Sequence, residues 1–80
     1  MPELKTGDVI HVRPIGASDV QATFIGPDPE NQLRVLGRLL TPYLSMVFGD
    51  GQVGELLSFY RSNIYAVNGI NVHKDKPQDG

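Results

Sequence analysis

Leu33-Arg34-Val35-Leu36-Gly37-Arg38-Leu39-Leu40 decides the fold. Read with the two-residue repeat of a strand, it sets Leu33, Val35, Gly37 and Leu39 on one face. Arg34, Leu36, Arg38 and Leu40 then stand on the other. Read as a helix, Leu33, Leu36, Leu40 and Leu44 recur near helical spacing. Gly37 at the centre costs that helix about 1 kcal/mol, and Pro42 stops it almost as soon as it begins. A strand is the expectation.

The flanking sequence repeats the pattern. Upstream, Lys5-Thr6-Gly7-Asp8 is a turn feeding Val9-Ile10-His11-Val12-Arg13, which alternates with Ile10 and Val12 on one side. Pro14 to Asp19 interrupts, and Val20 to Ile25 resumes with Val20, Ala22 and Phe24 aligned. The Val9–Arg13 and Val20–Ile25 runs flank a gap suited to an antiparallel hairpin, and Gly26-Pro27-Asp28-Pro29-Glu30-Asn31, rich in turn formers, reads as a loop. Downstream, Thr41 to Phe48 is a single helical turn or an irregular crossing held down by Tyr43, Leu44, Met46 and Phe48. Gly49-Asp50-Gly51 turns the chain into a long strand from Gln52 to Tyr60, with Val53, Leu57 and Phe59 facing one way.

Arg61-Ser62-Asn63 connects to Ile64–His73, which contains Asn68-Gly69. That pair signals a hairpin between Ile64–Val67 and Ile70–His73, with one longer strand bulged at Gly69 as the alternative. Lys74 to Gly80 is polar and reads as a tail, so the domain is expected over 1–76 with a tail or linker over 77–80. Nine Gly, six Pro and 22 Val, Ile, Thr, Phe and Tyr against three Ala in 80 residues leave little material for helices. The expectation is all-β: a small antiparallel split β-barrel of five to six strands. Ile10, Val12, Phe24, Val35, Leu57 and Phe59 should form its interior.

Composition narrows the function. Seven Lys and Arg against nine Asp and Glu give a formal net charge of −2. Nucleic-acid domains usually carry a basic excess, because phosphate contacts supply most of their affinity, so nucleic acid is not expected as the main partner. The alternative is a small barrel stacking single-stranded bases on Tyr43, Phe59, Tyr60 and Tyr65 beside Arg61. With no cysteine, no disulfide or thiolate metal site can form. No apolar run approaches membrane-spanning length and the first residues do not resemble a signal peptide, so a cytoplasmic protein without membrane contact is expected.

Chemistry-bearing constellations are sparse. Ser18, Ser45, Ser58 and Ser62 sit in no nucleophile elbow, and the glycines form no phosphate loop. His11 and His73 could meet only if the first and last strands pair, and two histidines without acidic or thiol partners make a poor metal site. No enzymatic activity, cofactor or metal is expected. Arg34 and Arg38 share the Arg-x-x-x-Arg spacing of cyclic-di-GMP clamps, but they fall inside a strand and no Asp/Asn-x-Ser-x-x-Gly follows. Two leucines alternating with two arginines on an outward face suit an interface core, which makes Arg34, Leu36, Arg38 and Leu40 the candidate interaction face. A symmetric homodimer through it is one outcome. A face part-covered by the Thr41–Phe48 segment accounts for the same pattern.

The order of features resembles a known family. Leu4-Lys-Thr-Gly-Asp8 opens a strand, Ala22-Thr-Phe-Ile-Gly26 ends one, and a Leu33-rich strand follows. Phe48-Gly-Asp-Gly51 precedes another, and Tyr60-Arg61 turns into Ile64-Tyr-Ala-Val67. Over roughly Leu4 to Lys76 this resembles the PilZN domain, the N-terminal domain of YcgR-like flagellar brake proteins. The resemblance implies a split barrel, one long last strand, and a non-catalytic module of bacterial motility or surface-attachment signalling. It also implies that the partner is another protein or an adjoining PilZ domain. Cyclic-di-GMP would then be bound only through such a following domain.

Overall fold

The computed structural model describes residues 3–72 of the chain. Six strands form one antiparallel sheet: β1 (Val9–Val12), β2 (Val20–Pro27), β3 (Arg34–Leu39), β4 (Leu56–Tyr60), β5 (Ile64–Val67) and β6 (Ile70–Asn71). Their order across the sheet is β4-β3-β2-β1-β5-β6. A three-residue 3₁₀ turn, Arg61–Asn63, is the only helical element among the described residues. The chain is all-β, as expected, but the sheet does not close on itself.

Its curvature follows from one connection. β4 and β5 lie four places apart in strand order. A flat sheet would separate them by about 19 Å, at about 4.8 Å per step. The 3₁₀ turn between them advances only about 6 Å. The sheet must therefore roll until the end of β4 approaches the start of β5, and the Arg13 N–H donating to the Asn63 carbonyl at 2.8 Å fastens that end.

Alternation decides which side chains the roll encloses. Ile10 and Val12 on β1 oppose Ala22 and Val20 on β2, and Val35 on β3 opposes Phe59 on β4. These, with Phe24, Leu39, Ile64 and Val67, make the core. Of the six expected interior residues, five are buried and Leu57 is half-buried against them. Leu33 falls outside β3 and is exposed. The strands approach closely at Gly37, where a Cβ would lie 3.0 Å from Ala22 Cβ and 3.3 Å from Phe59 Cε2.

Several expectations need correction. β2 runs on through Gly26 and Pro27, past a bulge between Phe24 and Gly26, so the loop to β3 starts later than composition suggests. The strand expected from Gln52 begins only at Leu56. Gly54 sits in the left-handed region at φ 97°, and its N–H donates to the Leu39 carbonyl, so Gln52–Glu55 is a turn and Val53 points into solvent. Asn68 (φ 53°) and Gly69 (φ 83°) form a two-residue hairpin turn between β5 and β6, not a bulge in one long strand. The Asn68 side chain locks it: its Oδ1 accepts from the Val9 N–H at 2.9 Å and its Nδ2 donates to Asp8 at 3.1 Å. His73 and the expected tail lie outside the described residues.

The Thr41–Phe48 segment is an irregular crossing with one isolated bridge, at Tyr43. Tyr43 and Gly51 exchange backbone hydrogen bonds at 2.9 and 2.7 Å. Tyr43 packs on the core, its ring centroid 6.5 Å from that of Phe59. Of the four side chains expected to hold the segment down, only Tyr43 does. Leu44, Met46 and Phe48 are exposed.

Candidate functional site

The expected face splits into unlike parts. Arg34, Leu36 and Arg38 do point away from the core, opposite Tyr60, Ser58 and Leu56 of β4. Arg34 is not free, however. Its guanidinium lies 4.7 Å above the Tyr60 ring, and Nη2 donates to the Ser58 carbonyl at 3.1 Å. Arg38 donates to the Gly54 carbonyl at 3.0 Å. Both arginines thus reach across β4 or the turn before it and staple them to β3. Leu36 is half-buried, and Leu40, one residue past β3, is exposed. Tyr43 of the Thr41–Phe48 segment packs on the core, on the opposite side of β3 from these residues.

The staple around Ser58 extends to Asp28. Ser58 Oγ donates to Asp28 Oδ2 at 2.7 Å, while Asp28 Oδ1 accepts from the Glu30 N–H at 2.9 Å. The Glu30 N–H first, then the Ser58 hydroxyl, hold the Asp28 carboxyl below the usual carboxylate range, and the Arg34 charge adds to this. Within this cluster Arg34 Nε is buried with no hydrogen-bond partner.

The free side of β4 is the second component. Arg61 N–H donates to the Leu33 carbonyl and Leu39 N–H to the Glu55 carbonyl. In the β3–β4 register these are directly opposed pairs, so Leu57 and Phe59 between them turn their backbone groups toward β3, as do the Glu55 carbonyl and the Arg61 N–H. The backbone groups of Leu56, Ser58 and Tyr60 must face the other way, where no strand follows among the described residues. A cavity of about 570 Å³ runs along that edge, bordered by inward Leu57 and Phe59 and by outward Ser58 and Tyr60. Residues from both faces of one strand can share a cavity only along its edge. Pro14 and Ile15 of the β1–β2 connection and Phe48 of the crossing segment also line it, while no residue of β5 or β6 does, so this seam lies between the β4 edge and loops.

The third component is an apolar ridge beside the seam. Met46 is fully exposed, Phe48 is 70% exposed and Ile15 84%. The ridge is held by hydrogen bonds around one buried hydroxyl. Ser45 Oγ donates to the Gly16 carbonyl at 2.9 Å and accepts from the Val47 and Phe48 N–H groups at 3.2 and 3.0 Å. Ser45 N–H donates to Asp50 at 3.1 Å, and Ser18 exchanges two further bonds with Leu44. Sequence reading passed over this ridge. The available signal was Met46-Val47-Phe48 behind a serine and before Gly49-Asp50-Gly51, an apolar run placed on a turn.

The remaining candidates stay apart. The His11 ring meets Tyr65 at 6.0 Å between centroids, and Arg13 lies 4.5 Å over the same ring while pairing with Asp19 at 3.2 Å. Among the aromatics weighed for base stacking, Phe59 is buried, Tyr43 is packed on the core and Tyr60 lies under Arg34. They form no shared platform. Among the described residues no three His, Asp or Glu side chains gather into a metal-sized cluster, and no helix is long and apolar enough to cross a membrane. No family model, curated protein or solved structure matches the chain.

Proposed function

We propose that the chain is a non-catalytic docking module whose working surface is the ridge of Ile15, Met46, Val47 and Phe48. The observation that carries this reading is that the ridge is both solvent-exposed and held in place through Ser45. Apolar groups on a soft loop would collapse inward, whereas a braced ridge keeps its shape and lowers the ordering cost of binding. The outward β3 residues Leu36 and Arg38 offer a second contact area. The resemblance to PilZN leads to the same class and suggests bacterial motility or attachment signalling, with another protein or a PilZ domain as partner.

The test compares in-cell crosslinking by the wild-type chain, a Met46→Asp/Phe48→Asp variant and a Leu36→Ser/Arg38→Glu variant, with circular dichroism to check folding. Specific partners should be lost with the ridge variant while the fold persists. The same partners captured by all three chains would refute the reading. Salt-sensitive oligonucleotide binding would replace it with nucleic-acid recognition. Cyclic-di-GMP should give no binding heat with this chain, because Arg34 and Arg38 already donate to backbone carbonyls. Micromolar binding abolished by Arg34→Ala would overturn that expectation.

A further inference from the structure

We infer that the partner enters the seam as an extended peptide and adds to the sheet beside β4, with an acidic residue of that peptide at Arg34; this rests on the docking reading above. The backbone groups of Leu56, Ser58 and Tyr60 face the seam with no strand partner among the described residues. Such an edge selects a strand, because only an extended backbone can match alternating N–H and C=O groups. Beside the edge, Leu57, Phe59 and Tyr43 offer an apolar floor to every second side chain of the incoming strand. The two parts together are what strand addition uses: main-chain bonds for affinity and alternate pockets for selectivity.

Charge sets which peptide fits. Arg34 Nη2 now occupies the Ser58 carbonyl, while its Nε is buried and unpartnered. An added strand would bring its own N–H to that carbonyl. The Nε and Nη2 edge of the guanidinium, released from it, then matches a carboxylate in two parallel bonds. At the opposite end of the seam Asp50 and Glu55 repel a carboxylate, so the acidic residue belongs at the Tyr60 end. A second copy of this chain is the weaker occupant. Pairing β4 with itself about Ser58 would bring two Arg34 guanidinium groups together at the two-fold axis.

The test begins with a displayed library of random nonapeptides selected against the full 80-residue chain. Enriched sequences should alternate apolar residues and carry an Asp or Glu, and binding should slow amide exchange at Leu56, Ser58 and Tyr60. N-methylation of the synthetic peptide gives a readout specific to a strand. Methyl groups at alternate residues of one parity should abolish binding, and those of the other parity should leave it within about threefold. Arg34→Gln should weaken the acidic peptide at least tenfold and its Asn or Gln counterpart far less. No enrichment, or N-methylation effects without parity, would overturn the inference. Protection of the three β4 amides in the free chain would also overturn it, since the edge would already be taken by a second copy or by the chain itself. Peptides that shift only the Met46–Phe48 ridge would sink the strand addition while leaving the docking module standing.

Discussion

Gly37→Ala should destabilise the protein, although the substitution is usually favourable at such a backbone. Gly37 lies within β3, outside the left-handed region, so alanine fits its dihedral angles. Restricting the unfolded chain in this way normally stabilises by about 0.4–1 kcal/mol. The new methyl, however, would sit 3.0 Å from Ala22 Cβ, 3.3 Å from Phe59 Cε2 and 3.5 Å from Ile10 Cδ1. Ala22 Cβ is fixed to the backbone and cannot swing aside. Overpacking of this kind costs about 1–3 kcal/mol. The net loss is therefore about 1–2 kcal/mol, which for a domain this small lowers Tm by roughly 5–15 °C. Gly26→Ala is the control: its Cβ would meet nothing within 4 Å and its φ is ordinary, so it should raise Tm slightly. Thermal unfolding of both variants, and of Gly37→Ala combined with Ala22→Gly, completes the comparison. The double variant should be more stable than the sum of the single effects, because Ala22→Gly removes the clashing methyl. A Gly37→Ala chain as stable as wild type would refute the tight roll.

Phe59→Ala should cost about 3–5 kcal/mol and unfold most of the population at 25 °C, measured by urea titration, because Phe59 is buried against Val35 and Tyr43. Ser45→Ala should leave Tm within a few degrees but speed amide exchange at Val47 and Phe48, whose N–H groups lose their acceptor. The Lys5 N–H first, then the Asn68 amide, hold the Asp8 carboxyl below its ordinary value, as Glu30 and Ser58 do for Asp28. Both groups take up a proton more readily unfolded than folded. Their contribution is thus complete above an unfolded pKa of about 3.9 and is lost as pH falls through the lower folded value. Asp8→Asn and Asp28→Asn should each flatten the fall in Tm below about pH 5.

The strands were legible where a residue's role is local. Alternation through Val9–Val12, Val20–Phe24 and Val35–Leu39 marks the buried face without knowledge of any partner. Asn68-Gly69 announced its turn by the same kind of rule. Gly54 did not, because nothing near it in sequence says that its φ is positive, and the expected strand through Val53 failed there. Gly37 was visible as a helix breaker, but its real constraint comes from Ala22 and Phe59, which only strand pairing brings close. The seam was illegible for the same reason. Its edge depends on which parity of β4 bonds to β3, and Arg34 joins it only by pairing opposite Tyr60.

The position of β1 in the sheet also governs how the molecule is made. Val9–Val12 finds β2 within a few residues, but its other neighbour, β5, is about fifty residues further along. At roughly 5–20 residues per second, a ribosome needs about 3–10 s to synthesise that intervening stretch. Throughout that interval the middle strand of the finished sheet is an edge strand, with Ile10 and Val12 lacking Val67 and Ile64 beside them. The β1–β4 meander can assemble early from sequential hairpins, while the pairing of Ile64–Val67 with β1 comes later and spans the longest loop. The nascent chain is therefore most open to wrong pairing just before Ile64 is added, and slowing translation at that point would lengthen its need for a chaperone.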